Sequence, residues 1–258
     1  MVEATTLFFW LSALGAMLLL GALTWLRSRQ RHDVSIVDSI WSLLFLLAAL
    51  VWALQASGPR TALVLLLVAF WSLRLSIYIT LRHRGKPEDR RYQAIRARNE
   101  PGFALKSLWL VFGLQAAIAW VVAAPLGVAI ASATALGALD IAGGLLVIAG
   151  LLIEAVADAQ MGAFRARVDS AGQVMQSGLW RYSRHPNYFG ESMIWWGFYL
   201  FALSAGGAWS VFSPIIMTLL LLKVSGVTLL EQDMHERRPG YREYVQRTSV
   251  FIPWPPRR

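Results

Sequence analysis

The stretch Arg184-His185-Pro186-Asn187-Tyr188-Phe189-Gly190-Glu191 runs directly into the apolar segment 192–203. Polar and charged side chains at the mouth of an apolar helix are costly in lipid and mark functional positions. Asn187 offers a donor and an acceptor to an amide. Glu191 follows one turn on, and Tyr182 and Tyr188 supply faces for stacking. A plain helix start, with Pro and Asn as opening signal and Glu in the first turn, accounts for Asn187 and Glu191 separately. It does not account for the aromatic and basic residues around them. Asp38, Arg74, Glu154, Asp158 and Lys223 also lie inside apolar stretches. Glu154 and Asp158 are one turn apart and share a helix face. Arg165 follows Asp158 by two turns, so a carboxylate for ribose hydroxyls and a cation for a phosphate share a face if the helix continues. Together these residues point to a polar cavity opening to one side of a membrane. Structural ion pairs, such as Asp38 with Arg74 or Glu154 with Lys223, are the alternative.

A second group is Arg82-His83-Arg84-Gly85-Lys86. Its glycine predicts a turning backbone, and long cations around a turn suit a phosphate; a topological anchor is the alternative. Arg90-Arg91-Tyr92 suits stacking on a base or binding anionic headgroups. The histidines (His32, His83, His185, His235) show no ligand spacing, so no metal centre is expected. No glycine-rich nucleotide loop is present. The lack of cysteine excludes disulfides, zinc-thiolate sites, iron–sulfur clusters and thiol catalysis.

The elements that must position these residues are membrane helices. The chain has 258 residues, 57% of them hydrophobic, with 12 Trp and a mean hydropathy of +0.51. Several windows reach the roughly 20 apolar residues needed to span a bilayer. The pattern predicts an all-α polytopic protein with one bundle domain over 1–258 and seven spans: 6–26, 36–56, 61–81, 107–124, 138–160, 188–204 and 209–230. The first lacks a positively charged leader and reads as a retained helix. Segment 125–137, with Pro125, Gly127 and Gly137, reads as a re-entrant or interfacial connection. Apart from Arg60, Arg74 and Lys223, every Lys and Arg falls in the loops after spans 1, 3 and 5 or in the tail. That asymmetry places those loops and the C-terminus in the cytoplasm and the N-terminus outside. The net charge of +9 therefore reads as topology, with no nucleic-acid partner implied. The amphipathic tail from Tyr241 to Trp254, ended by Pro253, Pro255 and Pro256, either lies at the interface or closes over the cytoplasmic site.

Gly178-Leu179-Trp180-Arg181-Tyr182-Ser183 leading into the motif above, with the tail ending Phe251-Ile252-Pro253-Trp254, resembles the steroid 5-alpha-reductase family, in particular its bacterial branch. The resemblance covers most of the chain from about residue 70 and is most specific at 178–191. It implies a seven-helix membrane enzyme using NADPH. Hydride passes to C5 of a 3-oxo-4-ene steroid, a proton is added at C4, and an acid polarises the enone. By the same resemblance the cofactor falls to His83, Arg84, Lys86, Glu154, Asp158, Arg165, Asn187 and Glu191, and the motif around them adds Tyr182, Arg184, His185 and Tyr188 as cofactor-binding candidates. Asp38 takes the place of the carbonyl-binding acid. The tyrosine that works with it falls on Ser72, with Tyr78 as substitute. His83 and Glu154 stand where the family has Asn. The longer tail around Glu231 and Asp233 leans toward isoprenylcysteine carboxyl methyltransferases of the wider superfamily.

The expectation is an NADPH-dependent reductase of lipophilic enones drawn from the bilayer. Helices of 1–124 serve the substrate, and 138–258 with the cytoplasmic loops serve the cofactor. It would be a multi-pass protein of the bacterial inner membrane, among membrane lipids. An S-adenosylmethionine-dependent methyltransferase of a prenylated cysteine carboxylate is the first alternative; a non-enzymatic lipid-binding or transport protein is the second.

Overall fold

A backbone in lipid has only itself to hydrogen-bond, so long apolar runs form helices. The computed structural model describes residues 2–56, 58–224, 227, 231 and 234–257. Among these, helix is the only regular element apart from a single bridge between Ser183 and Ser249. The helices are α1 (Val2–Arg31), α2 (Ile36–Ala53), α3 (Thr61–His83), α4 (Arg90–Asn99), α5 (Phe103–Val122), α6 (Ala124–Ala131), α7 (Ala138–Ala166), α8 (Pro186–Ser204), α9 (Phe212–Leu219), α10 (Met234–Arg237) and α11 (Tyr241–Arg247). α5 is wound as π-helix over Leu108–Gly113, and α9 runs on as π-helix over Leu220–Val224.

Five helices are long and apolar enough to cross a membrane: α1 from Thr6, α2, α3, α5 and α7. The chain is therefore an integral membrane protein. The expected spans 188–204 and 209–230 fall on α8 and on α9 with its π extension, which stand outside that set. α8 has 19 residues but carries Asn187 and Glu191 in its first turns. Residues 225, 226 and 228–230 of the last expected span lie outside the described residues. Segment 125–137 forms α6, begun by Pro125 in its first turn. Its 8 residues are too few to span, and Leu126, Ala129 and Ile130 are buried.

The helices group into two packed units: Met1–Leu136 with Ala202–Ser210, and Gly137–Phe201 with Val211–Arg258. In the first, serines join α2 and α3 directly. Ser42 Oγ donates to the Ser72 carbonyl at 2.8 Å and Ser76 Oγ to that of Ser39 at 2.7 Å. Small side chains let two membrane helices approach and bond where apolar burial gives no drive. Tryptophans bind the other helices, because a buried indole N–H needs an acceptor. Trp52 donates to the Phe9 carbonyl, Trp120 to that of Trp10 and Trp25 to that of Ala104, each at 2.8–2.9 Å. Arg60, fully buried, donates to the carbonyls of Thr134 and Ala135 and to the hydroxyls of Thr134 and Ser204. Its charge thus ties loops together.

In the second unit α7 and α8 run antiparallel in close contact. A Cβ on Gly143 would meet the Gly197 carbonyl at 2.8 Å; on Gly190 it would meet the Gly150 carbonyl at 2.6 Å and the Glu154 nitrogen at 2.8 Å. The Ser192 and Thr218 hydroxyls, 3.0 Å apart, join α8 to α9. Gly190→Ala must push the two helices apart, a change expected to destabilise by about 1–3 kcal/mol. Thermal unfolding in detergent should show a lowered midpoint. Gly162→Ala, in the same α7 but with nothing within 4 Å of the added carbon, should leave the midpoint unchanged or raise it.

Candidate functional site

The motif that opens α8 is fixed from two sides. On one side it leans on α7. Gly178 takes a left-handed turn (φ +59) against Gln160, a conformation that favours glycine. The Leu179 N–H donates to Gln160 Oε1 at 2.9 Å, and the Trp180 indole to the Ala157 carbonyl at 3.0 Å. On the other side the tail clamps it. The Arg184 N–H donates to the Ser249 carbonyl at 2.8 Å, Ser183 Oγ to Phe251 at 2.7 Å, Tyr244 Oη to Trp180 at 2.5 Å, and the Trp254 N–H to Tyr182 at 2.9 Å. Of the two roles expected for the tail, it does close over this motif.

Within the clamp, Glu231 accepts two bonds from Arg184, from Nε at 2.9 Å and Nη2 at 3.1 Å, and meets His185 Nε2 at 2.8 Å. Burial pushes the Glu231 carboxyl up, but bonding to His185 and Arg184 outweighs it and holds the group below its ordinary value. Burial, then the Glu231 charge, raises the phenol of Tyr241; burial also raises that of Tyr244. The His185 ring stacks parallel on Tyr188, with centroids 5.6 Å apart.

At the start of α8, Asn187 Nδ2 donates to Asp158 Oδ1 at 3.2 Å. This contact follows from the close crossing of α7 and α8 at Gly150 and Gly190. Glu154, Asp158 and Glu191 are all buried. The structure thus places Glu154, Asp158, Asn187, Tyr188 and Glu191 on the α7–α8 pair, with Arg184 and His185 just ahead of α8 and bonded to Glu231. Arg165 lies exposed in the last turn of α7, and Tyr182 is exposed while its carbonyl holds the tail.

The first unit holds a second polar cluster. Asp38, in the first turn of α2, accepts from Tyr92 Oη at 2.6 Å and from Arg91 Nη2 at 2.7 Å. Gln115 Nε2 donates to the same phenol oxygen at 3.0 Å. Arg91 also binds Asp89, which caps α4 by accepting from the Arg91 N–H. Burial pushes Asp89 up, and the Arg91 bond overrides it to a net lowering. Burial, reinforced by the Asp38 charge, drives the Tyr92 phenol well above its ordinary value of 10. The Asp38 partner is therefore Arg91, where Arg74 was the structural alternative. Arg74 and Arg82 instead face the Tyr78 ring, at 5.3 and 5.7 Å, so Tyr78 is a cation–π partner of two arginines. Ser72 is buried and bonded back along its own helix.

The turn that glycine predicted after α3 is present. Arg84 (φ −57, ψ 126) and Gly85 (φ +74) form a type II turn closed by the Lys86 N–H on the His83 carbonyl at 3.0 Å. Arg84 and Lys86 are exposed on it, while His83 is partly buried. Tyr92, Arg91 and Gln115 were not legible as partners of Asp38. The one sequence signal was an amide, Gln115, stranded within an apolar helix. Among the described residues no group of His, Asp or Glu is arranged to hold a metal ion.

A family model described as "Protein of unknown function (DUF1295)" matches residues 24–248, and that family is related to steroid 5-alpha-reductase-like membrane proteins. An uncharacterized protein of Schizosaccharomyces pombe, C594.04c, is 36% identical over 81 residues, which are 30% of this chain. The match spans only 23% of that relative's length. No solved structure matches the chain.

Because Glu231 is held below its ordinary value of 4.5, it stabilises the fold above that pH and the contribution is lost as pH falls through its folded value. Glu231→Gln should therefore lower the thermal midpoint at neutral pH, and the gap to the unaltered protein should close on acidification. A gap independent of pH would mean that the charge is not what holds the tail.

Proposed function

The chain belongs to the DUF1295 family, and we propose that it is an NADPH-dependent reductase of the 4,5 double bond in 3-oxo-4-ene steroids or similar lipophilic enones. The observation that carries the proposal is the Asn187–Asp158 contact. It joins the two motifs that the steroid 5-alpha-reductase resemblance assigns to the cofactor. The donor set suits the dinucleotide: the Asp158 carboxylate for ribose hydroxyls, Asn187 and Glu191 for an amide, and exposed Arg165 for a phosphate. When bound, NADPH supplies the hydride, which goes to C5. The protein's task at the other end is to polarise the 3-oxo group and let a proton reach C4.

We assign polarisation to Tyr92 with Asp38, where the resemblance implied Asp38 with Tyr78 standing in for the family tyrosine. Buried Tyr92 stays a neutral phenol, and its one O–H, directed at Asp38 in the structure, turns to the 3-oxo oxygen to stabilise the developing enolate. Asp38, neutralised by Arg91, orients the phenol; Gln115 fixes its lone pair. With α8 and the 209–230 segment as the remaining spans, the protein has seven. Its N-terminus is then outside, its C-terminus is cytoplasmic, and its cofactor end faces the cytoplasm of the bacterial inner membrane.

The methyltransferase reading keeps one observation in its favour, the Glu231 link between tail and motif. Thermal stabilisation of the purified protein by NADPH supports the reductase. Stabilisation by S-adenosylmethionine alone overturns it, and a response to neither points to the non-enzymatic reading. Asn187→Ala should weaken NADPH binding by about tenfold, the loss of one hydrogen-bonding group. Tyr92→Phe should spare binding and lower turnover on progesterone or testosterone by about a hundredfold or more. Undiminished turnover in Tyr92→Phe would remove the phenol from the reaction.

A further inference from the structure

A pocket of about 390 Å³ lies in the second unit where the tail folds back, walled by Arg184, Arg247 and Arg257 with Thr248, Ser249 and Trp254. Among the described residues no carboxylate lines it. The Arg257 N–H donates to the Arg247 carbonyl at 2.9 Å, which keeps the two residues side by side. Arg184 is a fixed wall. Its Nε and Nη2 are committed to Glu231, and its Nη1 donates to the carbonyls of Val245 and Thr248. The other two cations are available. Arg247 pairs with Glu243 at 2.8 Å, but both side chains are more than half exposed, and such pairs contribute little. Among the described residues no carboxylate pairs with Arg257.

Two guanidiniums at a concave wall match the oxygens of a phosphate. The same stretch carries an apolar surface: Val250, Ile252 and Trp254 are 40%, 62% and 68% exposed. Trp and Ile beside arginines are the composition of a segment lying at a membrane interface. A free phosphate has no use for that apolar surface, whereas a lipid presents a phosphate and an apolar body together.

We propose that this pocket binds the phosphate of an anionic phospholipid headgroup, with Arg247 and Arg257 on the phosphate and Ile252 and Trp254 against the apolar part. The lipid then braces the tail that clamps the α8 motif. The proposal does not depend on the reductase reading. The full chain is purified in neutral detergent and titrated with phosphatidylglycerol or phosphatidylcholine, and bound lipid is counted by native mass spectrometry. Phosphatidylglycerol should bind about tenfold more tightly than phosphatidylcholine. The double change Arg247→Gln and Arg257→Gln should abolish that preference, and Arg247→Lys with Arg257→Lys should keep most of it. Trp254→Ser should weaken lipid binding too. Equal binding of the two lipids, or an intact preference in the glutamine variant, overturns the proposal. Displacement of the lipid by NADPH would assign the pocket to the cofactor, and displacement by inorganic phosphate at equal concentration would assign it to a free anion; either overturns the lipid as occupant.

Discussion

The close crossing of α7 and α8 is the constraint on which the second unit rests. Between helices in lipid, apolar contact offers no preference over lipid itself, so association depends on backbones coming near enough for close packing. Gly143 and Gly150 on α7 meet Gly197 and Gly190 on α8 at distances that exclude any Cβ. With the axes this close, a short side chain such as Asn187 reaches Asp158 across the pair. The glycine of the Asn-x-x-Gly-Glu motif is thus structural, and the flanking polar residues depend on it for their meeting.

The second recurring theme is that main-chain carbonyls are used twice. Helix carbonyls already bonded within their helix accept again from indoles and serines: Trp52 on Phe9, Trp120 on Trp10, Ser42 on Ser72 and Ser76 on Ser39. Arg60 extends this to loops, spending its donors on Thr134, Ala135 and Ser204. Many Trp and Ser in an apolar chain are thereby explained without invoking a ligand. The tail works similarly. Its backbone bonds to residues 180–184, and Glu231 with Arg184 and His185 adds a charged fastening.

The two polar clusters differ in how far the sequence reveals them. In the second unit, Glu154 with Asp158 and Asn187 with Glu191 are each one helical turn apart, so periodicity puts each pair on a face. The motif then advertises itself by its unusual polarity. In the first unit, Asp38 finds its partners 53 and 54 residues away, on a short helix after a type II turn. The charged run containing Arg91 and Tyr92 reads as a surface run because nothing local distinguishes a buried tyrosine from an exposed one. The analogous position on α3, Ser72, instead faces its own helix, and Tyr78 stands between two arginines.

The sequence by itself determined that this is an all-helical membrane protein. Apolar length and the cost of unbonded backbone in lipid leave no other choice for the five spanning helices. It also determined which residues are too polar for their surroundings, and that the glycine after Arg84 turns the chain. Only the tertiary structure decided which polar groups answer one another: Asp38 with Tyr92 and Arg91, Asn187 with Asp158, Arg184 and His185 with Glu231. Helix periodicity fixes the face on which a side chain lies. Its partner is set by which helices pack and how closely, and that depends on small residues and on distant donors that no local pattern connects.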